Sequence, residues 1–207
     1  MSPERLSTYL REANGCTDCA VELYVWNAKV SSKFWQVVGF TEVALRNMID
    51  AQLNKSPDDE YSWFKDSKIV KPGGRVSQKI TRAVETLGRN GKQITHGRIV
   101  TELNLGFWQH LVSKTNRNLW PTIKRGLNSS RKITPDEFAK LIEEFHQFRN
   151  RLAHHYKIWH LDLFRQYWMI FEILELIDPQ LSQYVASEFS ILEYLRIQPK
   201  CLTRARQ

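Results

Sequence analysis

Apolar residues recur every three or four positions along most of the chain, which is the spacing of an α-helix that buries one face. The longest such run extends from Asp18 to Asn54. With Ser31-Ser32 and Gly39 as interruptions, it predicts one bent helix or two abutting helices. No stretch alternates apolar and polar residues in the manner of a half-buried strand. The pattern therefore predicts an all-α protein, an up-and-down bundle of four or five main helices with additional short helices.

Capping residues mark the ends of several predicted helices. The clearest start is at Thr134, which can be the N-cap, because Pro135 suits the first helical position and Glu137 completes a capping box. The other predicted helices are Ser2 to Glu12, Arg75 to Arg89, Thr95 to Glu102, Phe107 to Lys114 after an Asn104 cap, His160 or Leu161 to Ile177, and a last stretch from Asp178-Pro179 to about Leu195. Between Lys55 and Gly74 the sequence predicts a long connection with a solvent-exposed aromatic cluster at Tyr61, Trp63 and Phe64.

Basic residues are concentrated in the middle of the chain. The 207 residues carry a formal net charge of +8, and residues 61–132 contain 15 basic but only 3 acidic side chains. From Leu103 to Pro135 there is no Asp or Glu at all. We interpret the whole chain as one helical domain, residues 1–207, with a basic insertion at about 55–132. Phosphate-backbone contact and an ordinary solvated face explain this charge equally well. The candidate RNA-binding residues are Lys114, Arg117, Lys124, Arg125, Arg131 and Lys132 of this region, together with Arg151 further along the chain.

The cysteines and the apolar segments bear on cellular location. Cys16, Cys19 and Cys201 are an odd set without a disulfide framework, so a reducing cytoplasm is expected. Cys16 and Cys19 could be half of a zinc site, but no second ligand pair follows, and we expect no metal and no cofactor. No apolar run is long enough for a membrane span, and the charged N-terminus does not resemble a signal peptide.

The segment FHQFRNRLAHHYKIWH, residues 145–160, combines more reactive side chains than any other. Arg149, Arg151, His154, His155 and Tyr156 supply fixed positive charge, two imidazoles that titrate near neutral pH and a phenol. Arg149 and His154 are five residues apart, about 140° on an ideal helix. They can converge only if the helix ends near Ala153 or a second chain supplies one partner.

These residues resemble a known nuclease family. Arg149-Asn150-Arg151-Leu152-Ala153-His154 is similar to the R-x4-6-H signature of HEPN-type ribonucleases, and RNRLAHHxxIW resembles the Abi-like (AbiD/AbiF-type abortive infection) proteins of bacterial phage defence. Residues 34–53, which include Glu42, Arg46 and Asn47, and residues 103–111 resemble the same family. Tyr156-Lys157 departs from the resemblance, because Glu-Pro is expected after the paired histidines.

The resemblance implies a HEPN-like bundle and metal-independent RNA cleavage, in which the ribose 2′-OH attacks the adjacent phosphate and leaves a cyclic phosphate. His154 or His155 would transfer the proton, Arg149 would stabilise the phosphate, and Asn150 would orient one of them. Glu42, Arg46 and Asn47 would support the site, although a surface ion pair and a helix-end polar residue explain them equally well. The family also implies a two-fold homodimer that forms the site at its interface. The candidate partners besides the substrate RNA are a cognate antitoxin and a regulatory RNA, and the sequence does not give the activating trigger. Tyr156 also matches the tyrosine of HEPN toxins that a partner antitoxin nucleotidylates.

Two other functions remain open from the sequence. The chain could be a non-catalytic helical module that holds a structured RNA, or a dimeric protein-interaction bundle. His96, His110, His146 and His160 are interpreted as structural or surface residues. Helical spacing in apolar surroundings favours a core position over base stacking for Trp35, Trp108, Trp120, Trp159 and Trp168.

Overall fold

The computed structural model describes residues 3–54, 63–197 and 199, and these residues form an all-α structure without any strand. Three short 3₁₀ turns lie at Trp63–Lys65, Lys114–Leu119 and Lys124–Gly126. The helices are α1 (Pro3–Glu12), α2 (Thr17–Leu53), α3 (Arg75–Arg89), α4 (His96–Glu102), α5 (Leu105–Leu111), α6 (Trp120–Ile123), α7 (Pro135–Ala153), α8 (Leu163–Ile177), α9 (Pro179–Glu188) and α10 (Ile191–Arg196). The predicted fold class is confirmed.

Helix α2 is the 37-residue axis of the bundle and packs against α1, α5, α6, α7, α8 and α10. It is continuous through Ser31, Ser32 and Gly39, so of the two predicted alternatives the structure has the single helix and not the two abutting helices. The reason lies on its inner face, where Val30, Phe34 and Val38 are buried on both sides of the polar pair. Tertiary packing of such an apolar stripe outweighs the low helix propensity of serine and glycine.

The capping box predicted at Thr134 is present in full, with Glu137 accepting from the Thr134 backbone at 2.8 Å. It fixes the start of α7, and Phe148 of α7 packs edge-on against Phe34 of α2 with 5.0 Å between ring centroids. Burial of each ring contributes about 1.5–3 kcal/mol. These contacts hold α7 against α2 and bring Arg149 beside α2.

The aromatic cluster predicted to be exposed is instead partly in the core. Trp63 is 2% exposed, and its indole nitrogen donates to Asp50 at 2.7 Å. His96 lies on the same carboxylate at 2.9 Å, so this interaction ties the start of α4 to α2. Tyr61 lies outside the described residues.

Two other boundaries differ from the sequence pattern. Helix α8 begins at Leu163 because the side chain of Asp162 caps it, a few residues later than predicted. The predicted last helix is divided into α9 and α10 at Phe189 and Ser190. In the described part of the chain, no helix is both long and apolar enough to cross a membrane.

Candidate functional site

Helix α7 ends in a turn that reorients the paired histidines. The backbone N–H of Tyr156 donates to the Arg151 carbonyl at 2.9 Å, and the N–H of His155 donates to the Leu152 carbonyl at 3.0 Å. This pair of bonds is the Schellman arrangement, which requires a left-handed residue, usually glycine, just after the C-cap. His155 occupies that position with φ 53°. The structure therefore satisfies the condition inferred from the sequence, that α7 ends near Ala153.

The turn places His155 and Arg149 on one open groove between α1, α2 and α7. The groove has a volume of about 810 Å³. It is lined by Tyr9, Tyr24, Asn27, Ala28, Ser31, Ser32, Trp35, Arg149, Leu152, Ala153 and His155. We call it the α7 groove. His154 is exposed at the C-cap of α7 and does not line the α7 groove.

Arg149 is fixed on two sides by residues of α2. Its Nε donates to the Glu42 carboxylate at 3.0 Å, and its guanidinium lies over the Trp35 ring at 5.4 Å from the centroid. About a quarter of its side chain is exposed, at 26%. The two terminal nitrogens make no hydrogen bond to the described residues, so they remain free to donate to an anion in the α7 groove.

The side chain of Asn150 forms a hydrogen bond with His146. Within the described residues it forms none with the side chains of Arg149, His154 or His155. Its amide nitrogen lies 3.0 Å from Nε2 of His146. Because an amide nitrogen can only donate, that imidazole nitrogen accepts and the ring is neutral. Burial first and then the nearby Arg149 and Lys79 lower the pKa of His146, which favours the same neutral state.

The first turn of α5 closes around this imidazole. A Cβ at Gly106 would lie 3.1 Å from Nε2 of His146, so only glycine fits without displacing the ring. The backbone of α5 and the amide of Asn150 thus hold His146 from two sides. The Asn150–His146 pair joins the candidate catalytic helix to α5.

A second groove opens on the other side of His155. It has a volume of about 570 Å³ and is lined by Glu4, Thr8, Tyr9, Arg151, His155, Tyr156 and Lys157. Tyr156 is 55% exposed, and its ring lies 5.7 Å from that of His154. His155 and Tyr9 line both grooves, so Arg149 and Arg151 lie in separate grooves that share the His155 imidazole.

The supporting residues on α2 differ in their contacts. Glu42 forms the ion pair with Arg149 described above, so it touches the predicted site directly. Arg46 is half-buried, and its Nε has no hydrogen-bond partner within the described residues. Asn47 is exposed to solvent.

The predicted RNA-binding residues of the basic centre are all exposed, but two of them are already paired. Arg117 forms an ion pair with Asp136, and Arg131 with Glu175 at 2.6 Å. These carboxylates lie just outside the acid-free stretch or on α8, so the linear charge count misses them. The four that remain for an anionic ligand are Lys114, Lys124, Arg125 and Lys132.

Sequence reasoning misplaced two further tryptophans. Trp35 and Trp168 are 44% and 61% exposed, so the prediction that they lie in the core is wrong, whereas Trp108 and Trp159 are buried. The reason is that Trp35 adjoins the buried Phe34, and periodicity does not tell which edge of an apolar stripe faces solvent.

His146 was interpreted as a structural or surface residue, and its bond to Asn150 also makes it a neighbour of the site. The i, i+4 spacing of His146 and Asn150 is the signal that could have indicated this contact.

A comparison with known protein families shows where the chain belongs. The family whose sequences are described as Abi-like protein matches residues 5–160. The chain belongs to the Abi-like family. Membership suggests a part in abortive infection, a phage-defence response. No curated protein and no solved structure matches this Abi-like protein. The match covers α1 from residue 5 onward, α2 to α7 and all residues of the α7 groove, and it ends at His160, whereas α8, α9 and α10 lie beyond it.

Proposed function

We propose that this Abi-like protein is a metal-independent endoribonuclease of the HEPN type and acts as an effector or toxin in phage defence. The observation that supports it best is the α7 groove. It presents the restrained guanidinium of Arg149 and the imidazole of His155, a group suited to proton transfer, to the same open space. The groove is large enough for a nucleotide and is open at the surface, as access by a polymer requires.

The proposed reaction starts with the ribose 2′-OH. An imidazole accepts its proton as the oxygen attacks the adjacent phosphorus, the bond to the 5′-oxygen breaks, and a protonated imidazole donates a proton to that leaving oxygen. The products are a 2′,3′-cyclic phosphate and a 5′-hydroxyl. Two proton transfers call for two imidazoles, and the chain supplies His154 and His155. Of the two, His155 is the stronger candidate for the group nearest Arg149, because it lines the α7 groove with Arg149.

The proposed role of Arg149 is to stabilise negative charge on the phosphate as it builds in the transition state. Glu42 and Trp35 restrain the guanidinium before substrate arrives, which lowers the entropy lost on binding. The terminal nitrogens, which the ion pair leaves unused, match the geometry of two phosphate oxygens. Glu42 therefore acts in this proposal as a positioning residue.

The left-handed backbone at His155 also supports the proposal. A non-glycine residue in this conformation costs about 1–2 kcal/mol, although histidine tolerates it better than most residues. Local strain of this kind is concentrated at functional sites, where the side chain is needed at that position. A glycine would satisfy the Schellman turn but would supply no imidazole.

We also propose that two copies associate in a two-fold dimer through α2. Its outer face presents an exposed stripe of apolar and small residues that no described helix covers: Val21, Val25, Ala28, Ser32, Trp35, Gly39 and Val43. These positions lie within about 80° of one another at 100° per residue, over about 33 Å of helix. Ala28, Ser32 and Trp35 also line the α7 groove, so a partner on this stripe would approach the candidate site.

The nuclease proposal is tested with purified protein and labelled RNA in EDTA. Arg149→Ala should lower cutting at least 100-fold, and Arg165→Ala is the matched control, because Arg165 pairs with Glu144 at 3.1 Å on the exposed surface of α8. His154→Ala and His155→Ala are compared with His160→Gln, an exposed histidine outside both grooves. Equal cutting by wild type and Arg149→Ala would refute the assignment.

The dimer is tested by sedimentation equilibrium. Val25→Asp, which places a charge on this exposed apolar stripe, should give monomers and reduce RNA cutting at low protein concentration. The control is Glu22→Asp, because Glu22 is exposed on α2 but lies outside the stripe; this variant should leave association unchanged. A wild-type protein that sediments as a monomer at micromolar concentration would contradict the dimer but not the nuclease proposal.

A further inference from the structure

Helix α3 carries a row of cations that the sequence prediction of RNA-binding residues did not include. Arg75, Lys79, Arg82 and Arg89 lie within about 80° of one another at 100° per residue, along about 21 Å of helix axis. We call this row the α3 ridge. The buried face of the helix, with Val76, Ile80, Ala83 and Leu87, points about 110° away from it. The α3 ridge is therefore a surface feature on the flank of the helix.

The α3 ridge borders a shallow groove toward the start of α5, with a volume of about 200 Å³. Lys79, Arg82 and Thr86 line one side of it, and Asn104 and Phe107 line the other. Its polar lining is thus made of cations, a hydroxyl and an amide, together with one carboxylate, Glu102. Cations with hydroxyl and amide groups are the side chains that contact phosphate and sugar in nucleic-acid complexes.

Within residues 3–54, 63–197 and 199, the cations of the α3 ridge have no carboxylate partner. Among the described residues, none of the four forms an ion pair within 4.0 Å, in contrast to Arg117, Arg131 and Arg165. Lys79 is half-buried, and burial followed by repulsion from Arg75 and Arg82 lowers its pKa. Like charges held this close destabilise one another, and a bound anion removes that repulsion.

The α3 ridge leads toward the α7 groove. The groove beside the ridge reaches the first turn of α5, where Gly106 lies against the His146 imidazole of α7, and His146 bonds to Asn150, the neighbour of Arg149. After burial, Arg75 and Lys79 also lower the pKa of His110, and Arg149 and Lys79 lower that of His146. Positive charge therefore continues from α3 past these imidazoles to the candidate phosphate-binding arginine. An acidic protein surface would match the charge of the α3 ridge, but only a polyanion with evenly repeated charges also follows this path into the site.

We propose that the α3 ridge binds the phosphate backbone of RNA whose next phosphates enter the α7 groove. This inference rests on the proposed function for the identity of the ligand, and it assigns a contact surface outside the catalytic groups. Contact with phosphates makes the ridge indifferent to base sequence and sensitive to salt. Its contribution is to affinity and not to the chemical step.

The test measures binding by fluorescence anisotropy with a 2′-O-methyl RNA of about 20 nucleotides, which cannot be cut by the proposed reaction. The triple variant Arg75→Gln, Lys79→Gln, Arg82→Gln is compared with the triple variant Lys68→Gln, Lys140→Gln, Arg196→Gln, which removes the same charge from exposed positions outside the α3 ridge, both grooves and the candidate RNA-binding residues. The slope of log K against log salt should become about 2 units less steep in the α3 variant, because each phosphate contact contributes about 0.7 on a single strand. At about 0.1 M salt the dissociation constant should rise at least tenfold.

Thermal unfolding checks that the α3 variant is folded, and removal of repelling charges should leave its Tm at or above that of wild type. The single exposed variant Arg82→Gln, which should reduce the slope by about 0.7, gives the same test if the triple variant is unstable. A slope that is unchanged, or reduced equally by both triple variants, overturns the proposal. If the wild-type protein binds a polyglutamate peptide more tightly than the RNA, the proposal is also overturned, in favour of an acidic protein partner.

Cleavage of unmodified RNA separates this proposal from the nuclease proposal. If both hold, the α3 variant has a raised KM and a wild-type kcat, whereas Arg149→Ala has a lowered kcat. If wild type cuts no RNA but the slope still depends on the α3 ridge, the nuclease proposal fails and the binding surface remains. A lowered kcat with unchanged KM in the α3 variant would contradict the role assigned to the ridge.

Discussion

Replacing His155 by glycine should stabilise the protein and remove its activity. At φ 53° the Cβ of His155 crowds its own backbone, and glycine has no such contact. The gain should be about 1 kcal/mol in the free energy of unfolding, the lower end of the left-handed penalty, because histidine tolerates this region comparatively well. For a chain of about 200 residues that corresponds to a Tm increase of about 2–4 °C. Loss of a group that transfers protons should lower RNA cutting by about 10²–10⁴-fold.

The matched control is at the end of α1. There the N–H of Gly15 donates to the Leu10 carbonyl at 2.8 Å and the N–H of Asn14 to the Arg11 carbonyl at 3.3 Å, so Asn14 with φ 50° occupies the same place in a second Schellman turn. Asn14→Gly should give a smaller rise in Tm, because asparagine adopts this conformation readily, and should cut RNA like wild type.

The assays are thermal unfolding followed by circular dichroism and initial rates of RNA cutting in EDTA. His155→Ala separates the two effects, because alanine keeps a Cβ in the left-handed region and removes the imidazole; its cutting should be lost without a rise in Tm. A His155→Gly protein that melts below wild type would refute the strain reasoning. One that cuts at half the wild-type rate or more would refute the catalytic role of His155.

Three other perturbations test the surroundings of the site. Glu42→Gln removes the charge opposite Arg149 from a largely buried pair and should lower Tm by about 2–4 °C and cutting at least tenfold. The control Glu144→Gln, from an exposed pair, should change Tm by less than about 2 °C. Equal effects in the two variants would show that the Arg149 pair has no special role. Gly106→Ala should shift the His146 imidazole by a few tenths of an ångström against Asn150 and lower cutting about tenfold. Tm should change little, because a helix-propensity gain of about 1 kcal/mol offsets the weakened hydrogen bond. Unaltered cutting would show that the position of His146 does not affect the site. Burial lowers the pKa of His110, His146 and His160, so the unfolded chain takes up protons at these residues before the folded protein does. Tm should therefore fall as pH drops below 6.5. A flat Tm between pH 7 and 5 would contradict this.

Signals that are local in the sequence predicted the structure well. The bounds of α3 at Arg75 and Arg89 are confirmed, and so is the capping box at Thr134, because each depends on side chains within a few residues of the boundary. Asn104 caps α5 as predicted, through a bond to the Phe107 N–H at 3.1 Å. Such contacts join residues that are close together in the sequence, so they can be predicted without tertiary information.

Features that depend on distant residues were beyond the sequence pattern. Glu42 and Arg149 are 107 positions apart, and although both were singled out by resemblance, neither periodicity nor charge indicated that they pair. The left-handed turn at His155 was not foreseen either, because no glycine marks the end of α7. Trp63 was placed in solvent since nothing in its own segment reveals the Asp50 carboxylate that accepts from its indole.

The central claim is tested most directly by the chemical ends of the RNA fragments. Wild-type protein is incubated in EDTA with a short RNA and, in parallel, with the same sequence carrying a single 2′-deoxy nucleotide at the cut position, and the products are identified by mass spectrometry. The account predicts a 2′,3′-cyclic phosphate and a 5′-hydroxyl from the first substrate and no cut at the deoxy position in the second. Fragments that carry a 5′-phosphate, or a cut that persists without the 2′-OH, would contradict it.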